Sequence, residues 1–289
     1  MPVLQLSVLS DEISQDFGHA CEVAATKFGM RWIELRTLWD KNIVALDPNE
    51  VTEAVRLVKK YELQVSGIAG PLFKVDWPGA PVLGNHEQRD HFNAGYTFAQ
   101  QDEVLDRCIA LAKALASARV RCFDFWRLDD PEPYRAAMNE ALLGAAKRAG
   151  RNNLTLVLEN EHACNTATGA EAAKVLGQVE SQHLMLNWDP GNAAMAGESP
   201  FPNGYDLLPK DRIGLCHCKD VVSNGSGREW ARIGDGIIDW AGQFAALRRD
   251  GYRGIVSLET HWRGEGTPEA SSIRSWEGMK AALQRAEIG

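Results

Sequence analysis

Four polar residues, Glu159, Asp189, His217 and Glu259, each close a short apolar run: LTLVLE, HLMLNWD, IGLCH and GIVSLE. Each is followed by Gly, Pro, Asn or charged residues that read as a loop. Apolar runs bounded in this way are the pattern of parallel strands covered on both faces, so the four side chains are expected together at one rim of a sheet. Three carboxylates and an imidazole converging there would repel one another at neutral pH unless a positive charge lay between them, and a divalent cation is the simplest such charge. A donor set of carboxylate oxygens and one nitrogen, with open positions, suits Mn²⁺ or Mg²⁺, with Co²⁺ as a substitute. It differs from a closed structural zinc site.

The strand period of two sharpens the constellation. In IGLCHCKD it puts His217 and Lys219 on one face and turns Cys216 and Cys218 to the other, toward surrounding helices, so the cysteines flanking His217 are not metal ligands. Glu159, Asp189 and Glu259 share their faces with Val157, Asn187 and Ser257. A cation that binds a carbonyl oxygen and the neighbouring hydroxyl acidifies the C–H bond between them, because the resulting enediolate keeps its charge against the ion. Glu159 and Glu259 are then the candidate acid and base, and Lys219 a candidate general acid or oxyanion partner. His162, directly after LENE, and His261, directly after LET, stand where an imidazole could contact such a site.

Eight strand candidates position these groups: Leu4–Leu9, Trp32–Leu35, Gln64–Ile68, Val120–Phe125, Leu154–Glu159, Leu184–Trp188, Ile213–His217 and Ile255–Glu259. Amphipathic stretches lie between them, with Val51, Val55 and Val58 on one helical face, Val104, Cys108, Leu111 and Leu115 on another, and Trp240, Phe244 and Leu247 on a third. Eight strand and helix units in alternation specify a parallel sheet with helical crossovers and close a barrel, so the fold class is α/β, a (β/α)₈ TIM barrel forming one domain over 1–289. An open doubly wound sheet is the rival, but no G-x-G-x-x-G or G-x-x-x-x-G-K-[ST] turn follows any strand. Residues Pro71 to Tyr96, rich in Pro, Gly, Asn and His, read as a long loop over the barrel mouth.

Composition narrows the function. At 289 residues and 45% hydrophobic content the chain can bury a large core, and its net charge of -8 argues against a nucleic-acid backbone or an anionic membrane as main partner. The six cysteines show no paired-ligand spacing and read as reduced packing thiols. The opening MPVLQLSVLSDEIS lacks a basic n-region and reads as a first strand, and no apolar segment is long enough to span a bilayer, so a soluble cytoplasmic protein is expected.

With these residues in place, the chain resembles the xylose-isomerase-like sugar phosphate isomerase/epimerase superfamily. These are metal-dependent barrels that include tagatose and psicose epimerases, hydroxypyruvate isomerase and inosose dehydratase. The resemblance runs from DEIS through IELR to LETHW and is carried by LENE, NWDPGN, CHCKD, IGDGIIDW and SLE. It implies that Glu159, Asp189, His217 and Glu259 bind one divalent ion, often Mn²⁺, and that the two glutamates double as acid and base. In ketose epimerases a His three residues after the ligand Asp helps hold the substrate; here that position is Asn192. Their substrate-binding Arg after the ligand His corresponds to Arg228 or Arg232. Paired barrels are implied by the same analogy, hence a homo-oligomer.

Trp39, Trp77, Trp126, Trp188 and Trp262 fall at or shortly after strand ends, so several are expected around the mouth with Phe73, offering indole faces to a sugar or aromatic aglycone. Trp126, Trp262, Asn192, Arg228, Arg232 and His261 are the candidate substrate contacts. Gly225, Gly227, Gly264 and Gly266, near possible helix starts, leave a phosphate site open. Glu34 reads as structural, paired with Arg36, and His19, His86, His91 and His183 as surface residues. The expected activity is a divalent-metal-dependent isomerase or epimerase acting on a small sugar or keto-sugar. The alternative is a lyase or dehydratase, including elimination from a 3-keto-glycoside. Further alternatives are an endonuclease IV-like repair enzyme, disfavoured by few histidines and the negative charge, and a non-catalytic sugar-binding subunit.

Overall fold

The computed structural model describes residues 4–81, 94–225 and 227–288. Eight parallel strands form the barrel: β1 (Gln5–Val8), β2 (Trp32–Leu35), β3 (Gln64–Leu72), β4 (Arg119–Cys122), β5 (Thr155–Glu159), β6 (Leu184–Trp188), β7 (Ile213–Cys218) and β8 (Ile255–Leu258). Each pairs with its neighbours in the order β1-β8-β7-β6-β5-β4-β3-β2. A parallel bridge from Leu9 to Glu34 joins β1 to β2, which brings the sheet round on itself. The eight expected strands are all present; Trp32–Leu35 and Leu184–Trp188 have the expected bounds and the other six have shifted ends. β3 runs four residues beyond Ile68, to Leu72, while β4 stops at Cys122 because the chain bends at Phe125, whose φ of 56° is left-handed. Of the expected mouth loop, residues 82–93 lie outside the described residues, His86 and His91 with them. His19 and His183 are half-buried.

The helices bury the faces their spacing predicts. Helix Pro48–Lys60 starts at a capping box of Asp47 and Glu50 with Pro48 at its first position, and it buries Ala54, Leu57 and Val58, with Val51 and Val55 half-buried. Helix Gln101–Ala114 buries Val104, Cys108 and Leu111, and helix Trp240–Arg249 buries Trp240, Phe244 and Leu247. All six cysteines are buried free thiols. No described helix is long and apolar enough to cross a membrane.

The barrel interior is layered. Val157, Leu215 and Ile255, with Met185 and Trp32, form an apolar layer. Arg119 closes the floor, donating from Nε to the Gly214 carbonyl at 3.0 Å. Polar side chains lie nearer the strand ends: Ser7 and Ser66 share a hydrogen bond of 2.8 Å, and Ser257 is in register with His217.

Candidate metal centre

Glu159 ends β5, Asp189 follows β6, His217 lies in β7 and Glu259 follows β8, so four consecutive barrel strands deliver the four side chains to one rim. Each offers a ligand atom within 4.8 Å of the others, and all four residues are buried. Cys216 and Cys218 pack in the surrounding hydrophobic core, as their parity requires.

Each member is held by a second contact. Asp189 caps helix Pro190–Met195: its Oδ1 accepts the Asn192 N–H at 2.8 Å, leaving Oδ2 for the cluster. Asn160 pins the Asp189 backbone from both sides, at 2.7 and 2.8 Å. Asn192 Nδ2 donates to Glu159 Oε1 at 3.2 Å and to Asp189 Oδ2 at 3.1 Å, and its Oδ1 lies 3.2 Å from His162 Nδ1. The His217 Nε2 faces the Glu34 carboxylate at 3.1 Å. A carboxylate that accepts there requires the proton on Nε2, and this orients Nδ1 toward Glu259, Glu159 and Asp189 at 2.8, 3.5 and 3.8 Å. Glu34 is therefore the group that positions His217, and Arg36 takes Asp11, Glu12 and Glu259, so the expected Glu34–Arg36 pair is corrected.

Three buried protein cations lie among the acids, so part of the positive charge that the cluster requires comes from the chain itself. Lys219 Nζ is 2.8 Å from Asp189 Oδ2 and 2.9 Å from Glu259 Oε2, Arg121 Nη1 is 2.9 Å from Glu159 Oε2, and Arg36 Nη1 bonds Glu259 Oε1. Burial opposes ionisation of Glu159, but Arg121 and His217 outweigh it and bring the carboxyl to about 2. Burial likewise opposes ionisation of Glu259, and Lys219, His217 and His261 hold it well below the ordinary range. Both glutamates are therefore held as carboxylates. On the His217 ring, burial is outweighed by Glu34, Glu259 and Glu159, which raise it.

The donor set fits a divalent ion: three carboxylates and one imidazole nitrogen, with the Asn187 Oδ1 and Ser257 Oγ beside them buried and without a hydrogen-bond partner. A second grouping, Glu12, Glu259 and His261, shares Glu259. His261 adopts φ 51°, with its Nδ1 3.0 Å from Glu12 and its Nε2 3.4 Å from Glu259. A cavity of about 440 Å³ lined by Arg119, Met185, Gly214 and Tyr252 opens at the strands' N-terminal ends, opposite the acids. In this architecture chemistry belongs to the C-terminal rim.

The remaining expected contacts divide. His162 reaches the rim through Asn192 and Glu161, the latter 2.8 Å away. Arg232 is engaged by Asp235 in an exposed pair, Gly225 is a turn residue after one strand of a ladder and Gly227 opens the other, so neither glycine stands at a helix start. Trp188 points outward to Gln243, Trp39 packs on Phe17, and Trp77 packs on Phe98 and Phe125. Trp126 is 2% exposed and clusters with Phe123 and Cys164, with the Lys74 ammonium 5.3 Å over its ring. The tryptophan at the site is one the strand-end argument passed over, Trp230, whose ring lies 5.0 Å from Lys219 Nζ. It stands in an insertion after β7, and the alternation in GREWA was its signal. Arg121 lies between Val120 and Cys122 in a buried strand, and its pairing with Glu159 has no local signal in the sequence.

A barrel of eight parallel strands with an acid-rich cluster at its C-terminal rim is a (β/α)₈ TIM barrel with a candidate metal centre. The chain belongs to the xylose isomerase-like TIM barrel family, whose sequence profile matches residues 23–282. No curated protein matches it in sequence. Its fold is similar to the probable 3-DHS dehydratase AsbF from Bacillus anthracis (TM-score 0.72, 17% identity, covering 96% of this chain and 98% of that one). It is also similar to 3-keto-D-glucoside 4-epimerase YcjR from E. coli (0.69, 18%, 96% and 100%) and to the IolI protein with a zinc atom (0.73, 15%, 99% and 99%). The chain spans 43% of a xylose isomerase-like TIM barrel/4-hydroxyphenylpyruvate dioxygenase fusion protein, at TM-score 0.72 and 16% identity.

Proposed function

We propose that the protein is a divalent-metal-dependent isomerase or epimerase that moves a proton at the carbon beside the carbonyl of a sugar or keto-sugar. The observation that carries this is the convergence of Glu159, Asp189, His217 and Glu259 within 4.8 Å, with Glu159 and Glu259 both held anionic. These four residues would hold the ion, Mn²⁺ or a similar cation, and its Lewis acidity is the chemistry it supplies to a substrate carbonyl. Glu159 ends β5 and Glu259 follows β8, three strands apart, so one carboxylate can take the proton from the substrate C–H and the other can return a proton to the opposite face of the planar carbon that results. Asn192 and His162 bind and orient the substrate, and the Lys219 ammonium donates to an oxygen that gains charge.

That ammonium also favours a second reading. A buried donor between Asp189 and Glu259 is placed to protonate a departing oxygen, which would make the enzyme a lyase or dehydratase, in keeping with the dehydratase of similar fold. An endonuclease IV-like role finds little support in a cluster with one imidazole among four ligands.

The test is solvent deuterium. With Mn²⁺ present, deuterium should enter a keto-sugar at the carbon beside its carbonyl, and Glu259→Gln should slow this by about 100-fold or more. An intact carbon skeleton and retained substituents mean isomerisation or epimerisation, and expulsion of water or an aglycone means elimination. Absence of exchange from every keto-sugar tried sinks both readings.

A further inference from the structure

After β7 the chain makes an antiparallel ladder, Asp220–Asn224 against Gly227–Ala231, before returning to the barrel. Its foot is rigid. The Asp220 carboxylate accepts the backbone N–H groups of Val221, Gly234, Gly236 and Ile238, and a side chain on Gly236 would strike that carboxylate at 2.0 Å. Trp230 pairs with Val221 one step above this anchor, and Val221 is buried in the core. The backbone that carries the indole is therefore fixed in place. It lies 5.0 Å from Lys219 Nζ, with the His162 and His261 rings at 6.0 and 5.2 Å. Those two imidazoles come from the loops after β5 and β8, so Trp230 stands over the rim between the two candidate proton-transfer glutamates. Two residues outward, on the same face of the ladder, Arg228 packs against Gly197, and its Nε is buried without a hydrogen-bond partner.

A half-buried indole flanked by two imidazole rings, beside a guanidinium whose Nε has no partner, is complementary to a flat apolar face bounded by oxygen acceptors. A closed pyranose presents that face through its axial C–H groups. An open-chain ketose does not. We propose that Trp230 and Arg228 form a specificity subsite for a closed pyranose ring, with the ring's C–H face on Trp230 and an outward oxygen on Arg228. This rests on the reading of the rim as a sugar-processing centre.

The test uses two probes on the metal-loaded protein, with binding read by calorimetry and saturation-transfer NMR. Methyl β-D-glucopyranoside is a ring that cannot open; erythrulose is a ketose too short to close. Trp230→Ala should weaken the glucoside about tenfold and erythrulose less than twofold, Trp230→Phe should recover most of the loss, and Arg228→Gln should weaken the glucoside several-fold. In wild-type protein labelled with 5-fluorotryptophan, the resonance assigned to Trp230 through the Phe variant should shift with the glucoside and not with erythrulose. That readout stands even if Trp230→Ala does not fold. The proposal is overturned if the wild type does not bind the glucoside, if the Trp230 resonance does not respond, or if both probes weaken alike, which would make the indole only a cover for Lys219. Failure of the proposed reaction has a different signature: no deuterium enters keto-sugars while the Trp230 response to the glucoside persists.

Discussion

Replacing Arg36 with Met should destabilise the fold by about 3 kcal/mol at pH 7, with most of the loss residing on Asp11. The guanidinium and its three carboxylate partners are buried, with side-chain exposures of 2% for Arg36 and 4%, 0% and 1% for Asp11, Glu12 and Glu259. Breaking a buried pair from one side costs about 3–5 kcal/mol. The partners do not suffer equally: Glu12 keeps His261 and Arg263, and Glu259 keeps Lys219 and His217. Burial already raises the Asp11 carboxyl above 3.8, with Arg36 the chief opposing influence, so without Arg36 it folds protonated. Protonating a carboxyl of pKa 3.8 at pH 7 costs about 4.4 kcal/mol at 1.36 kcal/mol per pH unit. Part of that is present in the wild type, so the expected loss stands at the lower end of the range of about 3–5 kcal/mol for a buried pair broken from one side. The sign fixes the pH dependence. A raised carboxyl pKa means that the folded state binds the proton more tightly, so the deficit is full near neutrality and shrinks as pH falls toward 3.8. Urea denaturation of both proteins at pH 7 and pH 4.5 measures it. A deficit under about 1 kcal/mol at pH 7, or an equal deficit at both pH values, refutes the assignment to Asp11.

Lys219→Met removes a cation 2.8 Å from Asp189 and should tighten Mn²⁺ or Zn²⁺ binding about tenfold or more by calorimetry, while abolishing deuterium exchange; weaker metal binding would show that Lys219 supports the ligands rather than competing with the ion. Asp220 should titrate near pH 6, because burial outweighs its backbone N–H partners, so its contribution to stability is complete below pH 3.8 and fades as pH rises through about 6; a carbon-13 carboxyl titration with a midpoint below 4.5 contradicts this.

The barrel and the four-residue cluster were legible because both depend on local pattern. Apolar runs ending in a polar residue locate strand ends, and a period of two decides which side chains face inward. Consistent use of that parity also places Trp188 outward, since Asn187 and Asp189 on either side of it face in. What the pattern did not reveal is compensation over distance. Arg121 and Glu159 are 38 positions apart, Glu34 and His217 are 183, and Arg36 and Glu259 are 223. Nothing local to Arg36 announces three carboxylates, and only the closed sheet brings them to it. Trp230 escaped for another reason: it belongs to a ladder inserted after β7, outside the alternation of strands and helices from which the barrel was read.

That ladder is a cassette. Because its foot is clamped by one carboxylate on four backbone donors, residues beyond Val222 and Glu229 can be exchanged without loosening the acids beneath. On the proposed reading, selectivity can drift in such a barrel while its reaction stays fixed, and retargeting would begin at the outer rungs.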